Sequence, residues 1–100
     1  MEQLTYDIVF LNQSLSDLDS IHFAIMDISQ SETTANTIIN RILNSIESLK
    51  IFPKRFKVLI INNNYNIRMF ISNKYSIYYF IKENKVHIVR ILYYSNEFTI

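Results

Sequence analysis

The first thirty positions alternate at the start and then carry an apolar residue at every third or fourth place. Residues 5–10 alternate and are rich in β-forming residues, which predicts a strand. Asn12 or Ser14 is suited to cap the helix that follows. The apolar residues of this helix are predicted to share one face: Leu15, Leu18, Ile21, Ile25 and Ile28. Its acids fall outside that stripe and are predicted to face water: Asp17, Asp19 and Asp27.

A second helix is predicted after a capping-box pattern that runs from Ser29 to Glu32. Phe52-Pro53 is predicted to end it, because proline disfavours helical backbone in the residue before it. The apolar stripe of this helix consists of Ala35, Ile38, Ile39, Ile42, Leu43, Ile46 and Leu49. So short a connection between two helices predicts an antiparallel α-hairpin.

After Pro53 the apolar period changes to two, which is typical of strands. Four strand segments are predicted, at 56–61, 66–72, 75–82 and 85–94. Asn62-Asn63-Asn64 and the segment 82–85 are predicted turns. Because the connections are short, the four strands are expected to form an antiparallel meander, with the strand at 5–10 on an edge. Residues 1–100 are therefore predicted to form a single α+β domain.

The last two predicted strands are apolar on both faces. In the first of them Tyr75, Ile77, Tyr79 and Ile81 line one face, and Tyr78 and Phe80 line the other. In the last, strict alternation places His87 with Val89, Ile91 and Tyr93, and Arg90 with Ile88, Leu92 and Tyr94. A sheet with helices on one side is expected to have one polar face, but the second face here is aromatic and cationic. A partner, a substrate or a second copy of the chain is therefore expected to cover it.

Charge is divided unequally along the chain. Residues 1–49 have a formal charge of −6 and residues 50–100 a formal charge of +7. Such asymmetry suggests that the basic half binds a polyanion. The alternative interpretation is ordinary solubilising charge that happens to be sorted between the halves.

Several kinds of site are excluded by composition. The chain has no cysteine, so disulfides, zinc–thiolate sites and a cysteine nucleophile are ruled out. It has no glycine, which excludes a P-loop or a dinucleotide-binding motif. With only two isolated histidines, neither a metal nor another cofactor is predicted. The apolar runs are too short to span a membrane and no targeting segment is visible, so a cytoplasmic location is predicted.

The order β-α-α-β-β-β resembles the RelE/ParE family of toxins from type II toxin–antitoxin pairs, also described as plasmid stabilisation proteins. The resemblance covers nearly the whole chain. It rests on Asp17-Leu18 followed by Ile21, on the apolar helix that leads into Phe52-Pro53, and on three strand motifs. These are Ile67-Arg68-Met69, the segment 75–79 and the segment 86–92. The fold implied is an α-hairpin packed on one face of an antiparallel twisted sheet.

The family resemblance implies a toxin that arrests growth when free and is neutralised by a cognate antitoxin. RelE-like members are mRNA interferases that cut message on the ribosome, whereas ParE-like members inhibit DNA gyrase and are not enzymes. Ser76 stands where RelE-like members are expected to have an arginine, which favours the ParE-like mechanism. Tyr93 stands where both RelE-like and ParE-like members are expected to have a basic residue, so the usual C-terminal residues of either type are only partly present. A homodimer or a heterotetramer with the antitoxin is expected. The alternative is a non-catalytic remnant or a small interaction module with the same fold.

Candidate site residues follow from the chemistry of RNA cleavage, which needs a base, a proton donor and cations. The catalytic candidates are Arg68, Tyr94 and His87. The candidates for binding the nucleic acid or other target are Lys54, Arg55, Lys57, Arg68, Arg90, Tyr93 and Tyr94. Several have a structural alternative: the 54–57 cluster as a solvated loop, Arg90 paired with a helix acid, and His87 or the tyrosines as sheet-packing residues.

Overall fold

The computed structural model describes residues 5–62 and 65–96. The chain forms β1 (Asp7–Phe10), α1 (Asn12–Ser29), α2 (Glu32–Glu47), β2 (Val58–Asn62), β3 (Tyr65–Ser72), β4 (Tyr75–Lys82) and β5 (Lys85–Tyr93). Two 3-10 turns, Ser48–Lys50 and Pro53–Arg55, lie between α2 and β2. The predicted α-hairpin and all four C-terminal strands are confirmed. Of the predicted turn at 62–64, Asn62 is the last residue of β2, and positions 63 and 64 lie outside the described residues.

The strands form one sheet in the order β1-β5-β4-β3-β2. Neighbours from β2 to β5 are antiparallel, as the short connections predicted. β1 is an edge strand, as predicted, and pairs parallel to β5 from Asp7 opposite Lys85 to Phe10 opposite Ile88. The predicted α+β fold, with an α-hairpin on one face of a mostly antiparallel sheet, is confirmed.

The main core lies between the sheet and the α-hairpin. α2 contributes Ile42 and Ile46, and Leu49 follows in the first 3-10 turn. The buried members of this cluster are Ile42, Ile46, Leu49, Phe70, Ile77, Tyr79, Val86, Ile88 and Ile91. Burying each such aliphatic side chain stabilises the fold by about 1.5–3 kcal/mol, so α2 is the main anchor of the helical layer.

The apolar stripe predicted for α1 is confirmed only in part, because Leu18 and Ile21 pack against the main core but the two ends of the stripe do not. Leu15 is exposed and Ile28 is 84% exposed, whereas Ser14 and Asp17 are buried. The predicted N-cap was also wrong: Leu11 occupies that position, and the Ser14 hydroxyl donates to the Leu11 carbonyl over 2.7 Å. Asp17 is buried because its carboxylate accepts hydrogen bonds from the Ile91 amide and the Arg90 side chain of β5.

The start of α2 lies two residues later than the capping-box prediction placed it. Ser31 is the N-cap, and its hydroxyl accepts a hydrogen bond from the Thr34 amide at 3.2 Å. Ser29 instead ends α1, with its hydroxyl donating to the Ile25 carbonyl at 2.7 Å. Regular helix also ends at Glu47, before the predicted stop at Phe52-Pro53, and the first 3-10 turn follows it.

A bulge in β5 interrupts the strict alternation expected of that strand. Tyr78 pairs with Arg90, but the next residue of β4, Tyr79, pairs with Ile88, so Val89 is an extra residue. As a result Ile88 and Ile91 both lie in the main core, while Val89 and Leu92 pack against a second cluster on the opposite face. The predicted face assignments of β5 therefore hold as far as Val89 and are wrong after it, whereas those of β4 are confirmed.

The second cluster, called the outer cluster below, lies on the sheet face away from the α-hairpin. Its buried members are Ile67, Tyr78 and Phe80, with Leu11, Ile60, Met69, Val89 and Leu92 packed around them. The predicted aromatic second face is thus present. The expectation that a further molecule covers it stays a prediction.

Candidate functional site

Arg68 joins the basic segment to the sheet. It lies on β3 between Val58 of β2 and Tyr79 of β4. Its Nη1 donates to the Lys54 carbonyl at 3.1 Å and to the Phe56 carbonyl at 2.6 Å. Two carbonyls hold one end of the guanidinium, which fixes its direction before any ligand arrives.

Tyr79 anchors the 53–56 segment to β4. Its hydroxyl donates to the Pro53 carbonyl at 2.6 Å in a buried hydrogen bond. Burial raises the pKa of Tyr79 to about 12, although the nearby Arg68 and Arg55 guanidinium groups oppose the rise. Tyr79 is therefore a neutral structural donor at physiological pH, and it positions the loop that carries Lys54.

A polar cleft of about 380 Å³ opens beside Arg68. Its lining comes from four parts of the chain: Tyr6, Lys54, Asn66, Arg68, Ile81 and Glu83. Two cations outnumber one carboxylate there, so the cleft suits an anionic group. Tyr6, Asn66 and Glu83 were absent from the sequence-based candidates. They stand far apart along the chain, and nothing in their local pattern separates them from ordinary strand and turn residues.

Arg55 holds the loop together. Its Nη1 donates to the carbonyls of Ile51 at 2.7 Å, Phe52 at 3.1 Å and Ser48 at 3.3 Å, and its Nη2 donates to the Ser48 hydroxyl at 2.9 Å. The guanidinium carbon also lies 4.8 Å from the centre of the Phe56 ring. All three cations are exposed, but the guanidinium of Arg55 is held by contacts within the loop, and no ion pair of Lys54 or Lys57 is found within the described residues.

Arg90 pairs with a helix acid, as the structural alternative proposed. Its Nε lies 2.8 Å from Asp17 Oδ2 and its Nη2 lies 3.1 Å from Oδ1, so the pair is bidentate. The hydrogen bond to Asp17 raises the pKa of Arg90, and burial opposes this. The prediction that Asp17 faces water is wrong, because its side chain is only 8% exposed.

The burial of Asp17 has a cause in the sheet. β1 pairs with β5 only as far as Ile88, so the rest of that edge has no neighbouring strand among the described residues. Asp17 Oδ2 accepts from the Ile91 amide at 2.9 Å and so replaces a strand partner for that group. The carboxylate thus satisfies an edge amide and neutralises Arg90 at once.

His87 lies on the opposite face of the sheet from Arg68. Its ring stacks on Phe80 of the outer cluster, with centroids 4.7 Å apart and planes at 9°. Burial lowers the pKa of His87, and the nearby Lys85 and Lys82 lower it further, against an opposing effect of Glu83. The imidazole is therefore mainly neutral at pH 7, and its ring face is occupied by packing.

Tyr93 and Tyr94 form an exposed aromatic pair at the end of β5. Their ring centroids lie 5.0 Å apart, and Tyr93 meets the edge of Tyr75 at 5.8 Å. The Tyr94 amide donates to the Lys74 carbonyl at 2.7 Å.

Tyr93 also borders an apolar groove of about 350 Å³ between α1 and the sheet. The α1 side of this groove includes Ile21, Ala24, Ile25 and Ile28. The pattern of apolar residues did not indicate this groove, because the α1 residues that line it were predicted to lie in the core or were not singled out.

The three catalytic candidates do not cluster in one site of the structure. Arg68 points to the loop on the helix side, whereas His87 packs on the outer face. Tyr94 follows His87 by seven residues, which is roughly 20 Å along an extended strand. A catalytic base must come within hydrogen-bond reach of the proton that it removes. The three roles stay predictions, and they are not brought together here.

Comparison with known proteins supports the resemblance found in the sequence. The family model described as the ParE toxin of the type II toxin–antitoxin system, parDE, matches residues 8–98. The chain belongs to the ParE toxin family. A solved structure described as the chromosomal ParDE TA system from P. aeruginosa is similar to it, with a TM-score of 0.76 and 14% identity. The similarity covers 89% of this chain and 96% of that one, and shows the shared fold. No curated protein matches the chain.

In this ParE-family chain, the position where RelE-like members are expected to have an arginine holds a buried serine, Ser76. Ser76 lies between Ile71 of β3 and Leu92 of β5. Tyr93, the other place where a basic residue was expected, packs against Tyr75 and Tyr94. Neither position supplies a cation to the polar cleft.

Residues 5–62 and 65–96 contain no group of three or more side chains placed to hold a metal ion. Within the same residues, neither helix is long and apolar enough to cross a bilayer.

Proposed function

We propose that the chain is a growth-arresting toxin that acts in the cytoplasm by binding DNA gyrase, without cleaving RNA. Membership of the ParE toxin family supports the toxin class. The observation that carries the choice of mechanism is the separation of Arg68, His87 and Tyr94 over two faces and one end of the sheet. Binding tolerates such dispersal, whereas acid–base catalysis does not.

The surface proposed for the target combines the 54–57 loop and the polar cleft around Arg68. The loop is held by internal hydrogen bonds from Arg55, Arg68 and Tyr79, so its exposed lysines are presented on a rigid support. Preorganised cations lower the entropy lost when a partner is bound. This surface is positively charged, which suits an acidic protein partner or DNA that is bound to a protein partner.

The test measures gyrase supercoiling and ribosome-dependent cleavage of message with the same purified protein. We expect supercoiling to fail while message stays intact. Lys54→Glu combined with Lys57→Glu should weaken the inhibition, and Lys82→Glu, at the hairpin turn, is the matched control. Cut message would contradict the proposal and favour the RelE-like mechanism. An absence of both effects would favour a non-catalytic remnant or interaction module.

We also propose that a cognate antitoxin neutralises the chain, since the similar solved structure is described as a ParDE TA system. Expression of the chain alone should arrest growth, and co-expression with the product of the adjacent gene should restore it. Unimpaired growth in the presence of soluble toxin would contradict an active toxin. Sedimentation of the free chain and of the complex would test the expected homodimer and heterotetramer.

A further inference from the structure

β2 is an edge strand with an apolar and exposed surface. It is the last strand in the sheet order, and within the described part of the chain no strand pairs with its outer side. Val58–Asn62 contains no charged residue, and Ile61 is 80% exposed, with Leu59 also exposed. An uncharged edge with unpaired amides and carbonyls is a template for a further strand.

The regular part of this edge is short. The register between β2 and β3 shifts between Val58 and Ile60, which leaves Leu59 as an unpaired extra residue. Regular pairing then continues over the last three residues, 60–62. Ile60 turns toward the outer cluster, whereas Ile61 lies opposite Asn66, one of the residues that line the polar cleft. An added strand would therefore run beside the cleft.

Cations flank the edge on the side where β2 begins. Lys54 and Lys57 are exposed and, within the described part of the chain, form no ion pair. The Arg68 guanidinium lies against the same segment, because its Nη1 donates to the carbonyls of Lys54 and Phe56. A bound strand would thus meet backbone and an apolar side chain at one end and three positive groups at the other.

We propose that the β2 edge binds an acidic, partly apolar peptide segment of a protein partner as an added strand. Its main chain pairs with residues 60–62, its apolar side chain packs on Ile61, and its carboxylates meet Lys54, Lys57 and Arg68. The proposal deepens the proposed function, because it names the chemistry of a peptide partner and the place where it binds. Strand addition with side-chain pockets is a recurring mode of peptide recognition.

A second copy of the chain fits this edge less well. It would bring the same cations to the interface and no acids, because β2 and its flanking loop contain none. Three regular residues also bury far less than the roughly 800 Å² per partner that a stable interface needs. Nucleic acid has no peptide backbone that could pair with the edge of β2 as an added strand. Charge and length together therefore favour an acidic peptide.

The test uses the full chain and a short fluorescent peptide that alternates glutamate and valine. We expect saturable binding, and protection from hydrogen exchange of those amides in residues 60–62 that point away from β3. Ile61→Lys and the double change Lys54→Glu with Lys57→Glu should each lower the affinity by about tenfold or more. Ile28→Lys, which alters an isoleucine of similar exposure on α1, is the matched control and should bind like the unchanged chain. Because Ile61 is so exposed, its variant is expected to fold, and Ile61→Thr provides a milder second change.

Several results would overturn the proposal. These are an absence of binding at roughly millimolar peptide, equal binding of a lysine–valine peptide, or affinity that Ile61→Lys leaves unchanged. Displacement of the peptide by single-stranded RNA would assign the surface to nucleic acid. A dimer that Ile61→Lys dissociates would assign it to a second copy. The assay contains no gyrase, ribosome or antitoxin, so its failure is separate from failure of the proposed function.

Discussion

The pair formed by Asp17 and Arg90 should be among the most sensitive points in the fold. Replacing Asp17 with alanine removes a bidentate ion pair and the acceptor of the Ile91 amide together. Breaking a buried pair by removing one partner costs about 3–5 kcal/mol. Arg90 is 26% exposed, so water can solvate the remaining cation and the cost should lie near the lower end. We expect Asp17→Ala to destabilise the chain by about 3 kcal/mol, a large part of the 5–15 kcal/mol typical of a domain.

A series of variants separates the contributions. Asp17→Asn keeps an oxygen for the Ile91 amide but removes the charge, so its cost should be roughly 1–2 kcal/mol, smaller than that of alanine. Adding Arg90→Met to Asp17→Ala removes the unpaired cation and should recover part of the loss. Urea unfolding followed by circular dichroism gives each free energy, and the double-mutant cycle gives the coupling between the two side chains.

Two controls belong to the same experiment. Asp19→Ala alters an exposed acid two residues away and should change the free energy of unfolding by no more than about 0.5 kcal/mol. Glu47→Ala breaks the exposed pair with Lys50, whose atoms are 2.6 Å apart, and should cost only about 0.2–1 kcal/mol. If Asp17→Ala cost no more than these controls, the account of the β5 edge would be refuted.

Three further predictions concern the core and the backbone. Tyr79 has a pKa of about 12, above the ordinary value of 10.0, so its contribution to stability is present below pH 10 and should be lost as the pH rises to 12. By linkage the free energy of unfolding falls by about 1.4 kcal/mol per pH unit in this range. The alkaline unfolding of Tyr79→Phe should lack this pH-dependent loss. Phe52 is exposed and has a φ of 53°, so Phe52→Gly should stabilise the chain by about 1 kcal/mol in thermal unfolding, whereas Phe52→Ala should not. Ile42→Ala should cost about 2–5 kcal/mol by urea unfolding, while Ile28→Ala should have little effect; similar costs would contradict the packing of the helices.

Local patterns were sufficient to predict the strands and helices themselves. The segment 75–82 was predicted with the bounds that β4 has, because alternation and two flanking turns define it. Boundaries failed where a side chain could bond in more than one way. Ser29 and Ser31 both suit a cap, and only the hydrogen bond to the Thr34 amide distinguishes them.

The candidate site was less predictable than the fold. The basic cluster at 54–57 was visible as charge, but the different contacts of its members were not. All three cations are exposed, yet only the Arg55 guanidinium, among these three side chains, donates to four oxygens of the loop in the described structure. The polar cleft joins residues from four parts of the chain, and no local spacing relates Tyr6 to Glu83. Its position depends on β1 and the hairpin turn lying together at one end of the sheet.

The order of elements and the membership of a RelE/ParE-like fold were determined by the sequence, because periodicity and turn residues are local properties. Tertiary structure alone decided which faces are used. The extra residue at Val89 reverses the alternation of β5, and β1 ends opposite Ile88, so the edge amide of Ile91 needs another acceptor. Asp17 meets that need from 74 positions away in the chain. A buried backbone amide must be paired, and which side chain pairs it depends on where the strands stop.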